Sequence, residues 1–250
     1  MRTYTRYLEP GFEPFDPLDL ARRTNTIVST GSSRKYTDFY KVGVYGGIAT
    51  GYLVGCCLRC PFCWVDWSRD FPERHGQFYT PQQVFNRLMD IARRERVNRI
   101  RISGGEPTLN KDHLLTLLDL FDPTGYLFIL ETNGLLVGHD RSYAEALAHY
   151  RHLYIRISIK AGDARGFERR TGALRDFFHL PYKAVEYFLE LGADMRVACM
   201  SDPRVMPPKE RRQMIRRLET SGYYDYLEEE ACDPYPTAVA RLRYAGYEIF

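Results

Sequence analysis

The sequence lacks the features of membrane and secreted proteins. No apolar run approaches the roughly 18 residues that a helix needs to cross a bilayer. Residues 1–17 mix charges, aromatic side chains and three prolines, where a secretory signal would have an apolar stretch. We therefore expect a cytoplasmic protein with no membrane partner. A net charge of +3 on 250 residues is small, so a nucleic-acid partner is allowed but not indicated.

The sequence also has few cysteines, and most of them lie together. Four of the six fall within residues 56–63, whereas Cys199 and Cys232 stand alone without a C-x-x-C companion. In a cytoplasmic chain such clustering favours metal binding over disulfide formation.

No internal repeat, low-complexity tract or Gly/Ser linker divides the chain, and from residue 42 onward strand-like and helix-like segments alternate. The predicted strands are 42–54, 97–103, 126–131, 153–159, 195–200 and 223–227, and the predicted helices are 81–96, 110–121, 142–150, 181–191 and 209–220. This alternation predicts an α/β fold of parallel strands with right-handed crossovers. Six units are too few for an eightfold barrel, so we predict a partial, open (β/α)6 TIM-like barrel.

We predict three divisions of the chain: an N-terminal extension at 1–41, a core at 42–227 and a C-terminal tail at 228–250. The extension shows no clear helix or strand periodicity. The acidic run at 228–230 is expected on the surface.

Polar or reactive groups follow each of five predicted strands. The segments are GCCLRCPFC (55–63), SGGEP (103–107), ETNG (131–134), SIKAGD (158–163) and ACMSDP (198–203). Because functional residues of parallel α/β folds gather at the carboxyl ends of the strands, we expect these segments to share one rim.

The spacing of Cys56, Cys60 and Cys63 would place three thiols on one face of a helix, which could be a buried stripe. Gly55 and Pro61 favour a loop instead. A [4Fe–4S] cluster normally takes four cysteines, so three thiolates would leave one iron open to a cofactor. Zinc is the alternative metal, with Cys57 or His75 as the fourth ligand.

The C-x3-C-x2-C motif, with an aromatic residue before its last cysteine, resembles the radical S-adenosylmethionine (SAM) superfamily. YLVGCCLRCPFCW, GGEP, ETNG and SIK occur in that order, which resembles the short activases of glycyl radical enzymes. The resemblance implies a [4Fe–4S] cluster on Cys56, Cys60 and Cys63, whose open iron binds S-adenosyl-L-methionine. It also implies reductive cleavage to a 5′-deoxyadenosyl radical that abstracts hydrogen, with an electron donor such as flavodoxin or ferredoxin. The substrate stays open, because the same core also serves enzymes that act on small molecules, peptides and RNA. A glycyl radical enzyme is one candidate protein substrate.

The same resemblance implies roles for residues at the strand ends. Gly104, Gly105 and Glu106 would receive the ammonium of SAM, and Thr132 and Asn133 would lie on the rim near it. Lys160 would contact the ribose or carboxylate, with Ser158 replacing the acid of the family pattern. The adenine would lie against Phe62, Cys63, Trp64 and Met200. Each segment also has a plainer interpretation, namely a glycine turn, a polar turn, an outward-reaching lysine or a packed tryptophan.

Three hypotheses follow. The chain is a radical SAM enzyme, a non-catalytic iron–sulfur protein with a redox or sensing role, or a zinc-stabilised binding module. The family pattern assigns Cys56 rather than Cys57 to the cluster, although cysteines at 57, 60 and 63 also resemble a ferredoxin-type run.

Overall fold

A computed structural model describes residues 4–250 and contains one nine-stranded sheet. Six of its strands run parallel and adjacent in the order β3, β5, β6, β7, β8, β9. These strands are β3 (Ile48–Leu53), β5 (Arg99–Gly104), β6 (Leu127–Thr132), β7 (Leu153–Ile159), β8 (Met195–Met200) and β9 (Leu227–Glu230). The prediction of six parallel strands in a partial, TIM-like barrel is confirmed.

The last parallel strand lies later in the chain than predicted. The sequence predicts it at 223–227, whereas β9 spans Leu227–Glu230. Residues 223–226 are not a strand, and within them the Tyr223 hydroxyl accepts from Val197 N at 3.1 Å and donates to Tyr226 O at 2.6 Å. The acidic run therefore belongs to the sheet.

Nine helices occur in the described part of the chain. They are α1 (Pro17–Val28), α2 (Pro81–Glu95), α3 (Lys111–Phe121), α4 (Leu135–His139), α5 (Arg141–Ala148), α6 (Ala164–Thr171), α7 (Leu180–Glu190), α8 (Pro208–Thr220) and α9 (Pro236–Tyr244). The predicted helices match α2, α3, α5, α7 and α8, whereas α1, α4, α6 and α9 are not predicted. Helix α2 begins as its sequence requires, with Pro81 in its first turn and a capping box between Thr80 and Gln83.

Residues 29–42, which precede the first parallel strand, contribute two strands to the same sheet. Strand β2 (Ser33–Val42) pairs antiparallel with β3, with β4 (Gln77–Tyr79) and with the two-residue β1 (Ser29–Thr30). The predicted strand at 42–54 is therefore wrong in its first half, which contains the end of β2 and a turn at 43–47. The division into extension, core and tail stays a prediction, although segments of all three pair in one sheet.

The two faces of each parallel strand differ in character. In β7, Ile155, Ile157 and Ile159 pack into the apolar core beneath the helices, whereas Arg156 and Ser158 line a cavity on the inner face. The barrel interior is therefore polar at the rim formed by the carboxyl ends of the strands. No helix within residues 4–250 is both long and apolar enough to cross a membrane.

Candidate active site

All residues predicted for the site line one cavity of about 330 Å³ at the carboxyl ends of the strands. They are Cys56, Cys60, Phe62, Cys63, Trp64, Gly104, Gly105, Glu106, Thr132, Asn133, Ser158, Lys160 and Met200. The volume is within the range typical of small-molecule sites. The structure thus brings the predicted residues together, and their individual roles stay predictions.

The three predicted ligand cysteines lie on a loop after β3, not on a helix. The loop leaves the strand through Gly55, whose φ of +84° favours glycine, and turns where Cys63 N donates to Cys60 O at 3.2 Å. All three cysteines border the cavity.

Cys57 differs from its neighbours because its thiol faces the protein. It is fully buried and lies outside the cavity lining, and Asn133 Nδ2 donates to its Sγ at 3.3 Å. His75 also lies outside the lining. Neither residue proposed as a fourth zinc ligand is therefore in the cavity.

The thiols of the loop differ in acidity. The hydrogen bond from Cys57 lowers the pKa of Cys56 to about 7, against the effect of burial. Burial raises the pKa of Cys60 to about 12. Because metal ligands bind as thiolates, a metal that binds here displaces protons, and the proton of Cys56 more readily than that of Cys60.

The GGEP segment packs directly against the start of the cysteine loop. Gly105 N donates to Leu53 O and Glu106 N donates to Gly55 O, both at 2.8 Å. A Cβ atom at Gly105 would lie 2.2 Å from Gly55 O. Glycine is therefore required at 105 for the two loops to meet.

The Glu106 carboxylate connects this segment to ETNG. Its Oε1 accepts from Thr132 Oγ1 at 2.6 Å, Thr108 Oγ1 at 2.7 Å and Thr108 N at 3.2 Å. Its Oε2 accepts from Asn133 N at 3.0 Å. A carboxylate with this many donors is held in one orientation, and Oε2 keeps capacity for a further donor.

Lys160 is the cation predicted to meet the cofactor. Its Nζ donates to Ser158 Oγ at 2.5 Å and lies 5.8 Å from the centre of the Phe62 ring. Trp64, 44% exposed, lies at the cavity mouth with its ring centre 6.4 Å from that of Tyr235. These aromatic surfaces could receive a planar ring.

A charged part of the cavity wall is missing from the prediction. Arg156 forms ion pairs with Glu228 at 2.8 Å and with Glu230 at 2.6 Å. Burial alone would raise the pKa of Glu230, but the positive charges of Lys160 and Arg156 outweigh it and lower the pKa. The expectation that the run at 228–230 lies on the surface is therefore wrong for Glu230, which lines the cavity.

Glu131, the first residue of ETNG, also faces the cavity from the neighbouring strand. It accepts from Ser103 Oγ at 2.8 Å, from Arg101 Nη1 at 3.0 Å and from the Tyr45 hydroxyl at 3.0 Å. Alternation along the strands is the signal that could have identified both residues. Glu131 precedes the predicted site residue Asn133 by two positions, and Arg156 precedes Ser158 by two, so each pair is expected on the same face.

The donor set fits an iron–sulfur cluster better than a single metal ion. Within residues 4–250, no three His, Cys, Asp or Glu side chains converge so as to hold one ion. A cluster binds each thiolate at a different iron, so its ligands surround a volume instead of meeting at a point. Cys56, Cys60 and Cys63 would hold such a cluster, and Glu106 and Lys160 offer opposite charges for the amino and carboxylate groups of SAM.

Comparison with known proteins agrees with this geometry. The family model of the Radical SAM superfamily matches residues 52–221. A Methanocaldococcus jannaschii protein with the provisional name glycyl-radical enzyme activating enzyme is 28% identical over 109 residues, which are 44% of this chain and 41% of that protein. The GTP 3′,8-cyclase of a Synechococcus strain (CC9902) is 35% identical over 120 residues, 47% of this chain and 32% of the cyclase.

Among solved structures, the SuiB protein of Streptococcus suis bound to precursor peptide SuiA superposes with a TM-score of 0.58 and 21% identity. The match covers 78% of this chain and 44% of SuiB, and it shows a shared fold. The matched regions span less than half the length of each of these three proteins.

Proposed function

We propose that this chain, which belongs to the radical SAM superfamily, is an enzyme that reductively cleaves S-adenosyl-L-methionine at a [4Fe–4S] cluster. It uses the resulting 5′-deoxyadenosyl radical to remove a hydrogen atom from a substrate. The cofactors supply this radical chemistry. The residues of the chain bind and orient the reactants and exclude water from them.

The observation that carries the proposal is the meeting of three kinds of groups in one cavity. Cys56, Cys60 and Cys63 supply thiols without a fourth cysteine in the lining, which leaves room for a small-molecule ligand on the remaining iron. Glu106 is held by Thr132 and Asn133 in an orientation that suits an ammonium group. Lys160 supplies the charge that suits a carboxylate.

We propose that the substrate is a protein, with a glycine of a glycyl radical enzyme as the hydrogen donor. The provisional name of the M. jannaschii relative and the peptide bound to SuiB support a polypeptide substrate. Trp64 and Tyr235 are 44% and 49% exposed beside the cavity, where a polypeptide loop could pack. A flavodoxin or ferredoxin would supply the electron.

The direct test is formation of 5′-deoxyadenosine by anaerobically reconstituted protein given SAM and dithionite. The Cys60→Ala variant removes a cavity-facing thiol, and Cys199→Ala removes a buried thiol outside the cavity. We expect product from the wild type and Cys199→Ala but none from Cys60→Ala.

Iron and zinc analysis of the same samples separates the other hypotheses. A stable [4Fe–4S] cluster with no 5′-deoxyadenosine, even with candidate polypeptides added, would favour a redox or sensing protein. Stoichiometric zinc with no iron would favour a zinc-stabilised module.

A further inference from the structure

Each of the three predicted ligand cysteines has its backbone carbonyl bound by a different arginine. Arg59 Nη1 donates to Cys56 O at 2.8 Å, Arg69 Nη1 to Cys60 O at 2.5 Å and Arg241 Nη1 to Cys63 O at 2.7 Å. The three arginines are at most 1% exposed. Arginine is rarely this buried without a partner of opposite charge, so three around one loop need an explanation.

The charges of these arginines are only partly balanced by the protein. Asp70 is the carboxylate that pairs with both Arg69 and Arg241. The remaining hydrogen bonds of Arg59 go to two carbonyls, Thr5 O at 2.6 Å and Leu58 O at 2.8 Å. Three guanidinium groups and one carboxylate leave an excess of two positive charges behind the loop.

Groups from both ends of the chain complete this arrangement. The Arg59 guanidinium lies 5.2 Å from the centre of the Tyr4 ring. From α9, Arg241 also donates to Val65 O at 2.6 Å and to Asp66 O at 2.7 Å. The first described residues and the last helix therefore both contact the cysteine loop.

We propose that Arg59, Arg69 and Arg241 form a cationic shell that positions the cysteine loop and raises the reduction potential of the cluster it binds. The inference rests on the proposed function, since it requires a cluster on Cys56, Cys60 and Cys63. Three thiolates are anionic, and reduction adds one more negative charge. Positive charges held in a poorly screened interior stabilise the reduced state more than the oxidised state, which moves the potential upward. The arginines are thus positioning residues that act through the ligand backbone and through charge.

The test uses anaerobically reconstituted full-length protein, with iron and sulfide content and an EPR-monitored redox titration as readouts. Arg59→Gln removes the charge that has no carboxylate partner among residues 4–250, and Arg59→Lys keeps it. Arg243→Gln on the exposed side of α9 is the control. We expect the cluster of Arg59→Gln to titrate at a more negative midpoint potential than the wild type. The lysine variant should lie closer to the wild type, and the control should be unchanged.

Asp70→Asn provides a shift in the opposite direction. It keeps a side chain of the same size but removes the one carboxylate that offsets Arg69 and Arg241, so we expect a more positive midpoint potential. It also tests the inference if Arg59→Gln retains too little cluster to titrate, provided that its iron and sulfide content equals that of the wild type, because added water around a loosened cluster would also raise the potential. An Asp70→Asn or Arg59→Gln cluster at the wild-type potential would overturn the inference while leaving the proposed function intact. A wild type that binds no iron would overturn both.

Discussion

The hydroxyl of Thr132 lies 2.6 Å from Oε1 of Glu106 and joins two segments that are 26 residues apart in the sequence. The resemblance to the family implies that Thr132 lies on the rim near SAM. The structure adds that this side chain, 3% exposed, is used to orient the carboxylate predicted to bind the ammonium group. Thr132 is therefore expected to act on the cofactor through Glu106.

Replacing Thr132 with valine should weaken SAM binding more than it affects the cluster. Valine keeps the shape but removes a donor to Glu106, and a hydrogen bond to a charged group contributes about 1.5–3 kcal/mol. We expect the dissociation constant for SAM, measured by equilibrium dialysis, to rise roughly tenfold or more. Iron content should be unchanged. The control is Thr220→Val, because the Thr220 hydroxyl donates to Arg216 O on the exposed side of α8, away from the site. Equal SAM affinity in the two variants would contradict the positioning role of Thr132.

Much of the site could be predicted because its chemistry lies in residue types that are rare at strand ends. Cysteines spaced by three and two residues, a paired glycine and a carboxylate are visible in the sequence, and parallel strands bring their carboxyl ends to one rim. The alternation of strands and helices likewise predicted the parallel sheet.

What could not be predicted depends on long-range charge pairing. The run at 228–230 has the composition of a surface segment, yet Arg156 on β7 pairs with Glu228 and Glu230 across the sheet. Arg59 and Arg241 likewise have the sequence character of surface residues, and only their carbonyl partners show why they are buried.

Strand β2 could not be predicted for a different reason, because its residues mix charges and aromatics without regular alternation.

Replacing Gly105 with alanine should destabilise the contact between the GGEP segment and the cysteine loop. The added methyl group would lie 2.2 Å from Gly55 O, so one of the two backbones must move. Overpacking of this kind costs about 1–3 kcal/mol. Urea unfolding should show a loss of that size. The control is Gly43→Ala, which should change stability little because Gly43 has a φ of −79° and open space around it. An equally small effect of Gly105→Ala would show that the two loops are not in contact.

Cys57 should be dispensable for the cluster, whereas Cys56 should not. The two thiols are adjacent in sequence, but Cys56 borders the cavity and Cys57 is fully buried beneath it. We expect Cys57→Ala to keep most of the wild-type iron and its visible absorbance after reconstitution, and Cys56→Ala to lose them. Retention of the cluster by Cys56→Ala together with its loss from Cys57→Ala would show that the ligand assignment is wrong.

His113 should make the fold sensitive to mild acid. Its Nδ1 lies 2.6 Å from Ser32 O, which can only accept, so Nδ1 carries the proton and Nε2 accepts from the Tyr36 hydroxyl at 2.8 Å. Burial, together with the nearby charge of Arg34, lowers the pKa of this imidazole from 6.5 to about 4. Between these two values the unfolded chain binds the proton and the folded chain does not.

The stabilisation that neutral His113 provides is therefore present above pH 6.5 and is lost as the pH falls from 6.5 to about 4. The difference of 6.5 − 4 = 2.5 in pKa corresponds to at most about 3 kcal/mol. Urea unfolding of protein with matched iron content at pH 7.5 and pH 5 should show about 2 kcal/mol of this loss in the wild type, because pH 5 lies only part of the way from 6.5 to 4. His113→Gln should start from a lower stability and lose less on acidification, because it has no imidazole to protonate. The exposed His149 offers the matched variant, since His149→Gln should retain the wild-type pH dependence. An identical acid-induced loss in His113→Gln and His149→Gln would place the sensitive group elsewhere in the chain.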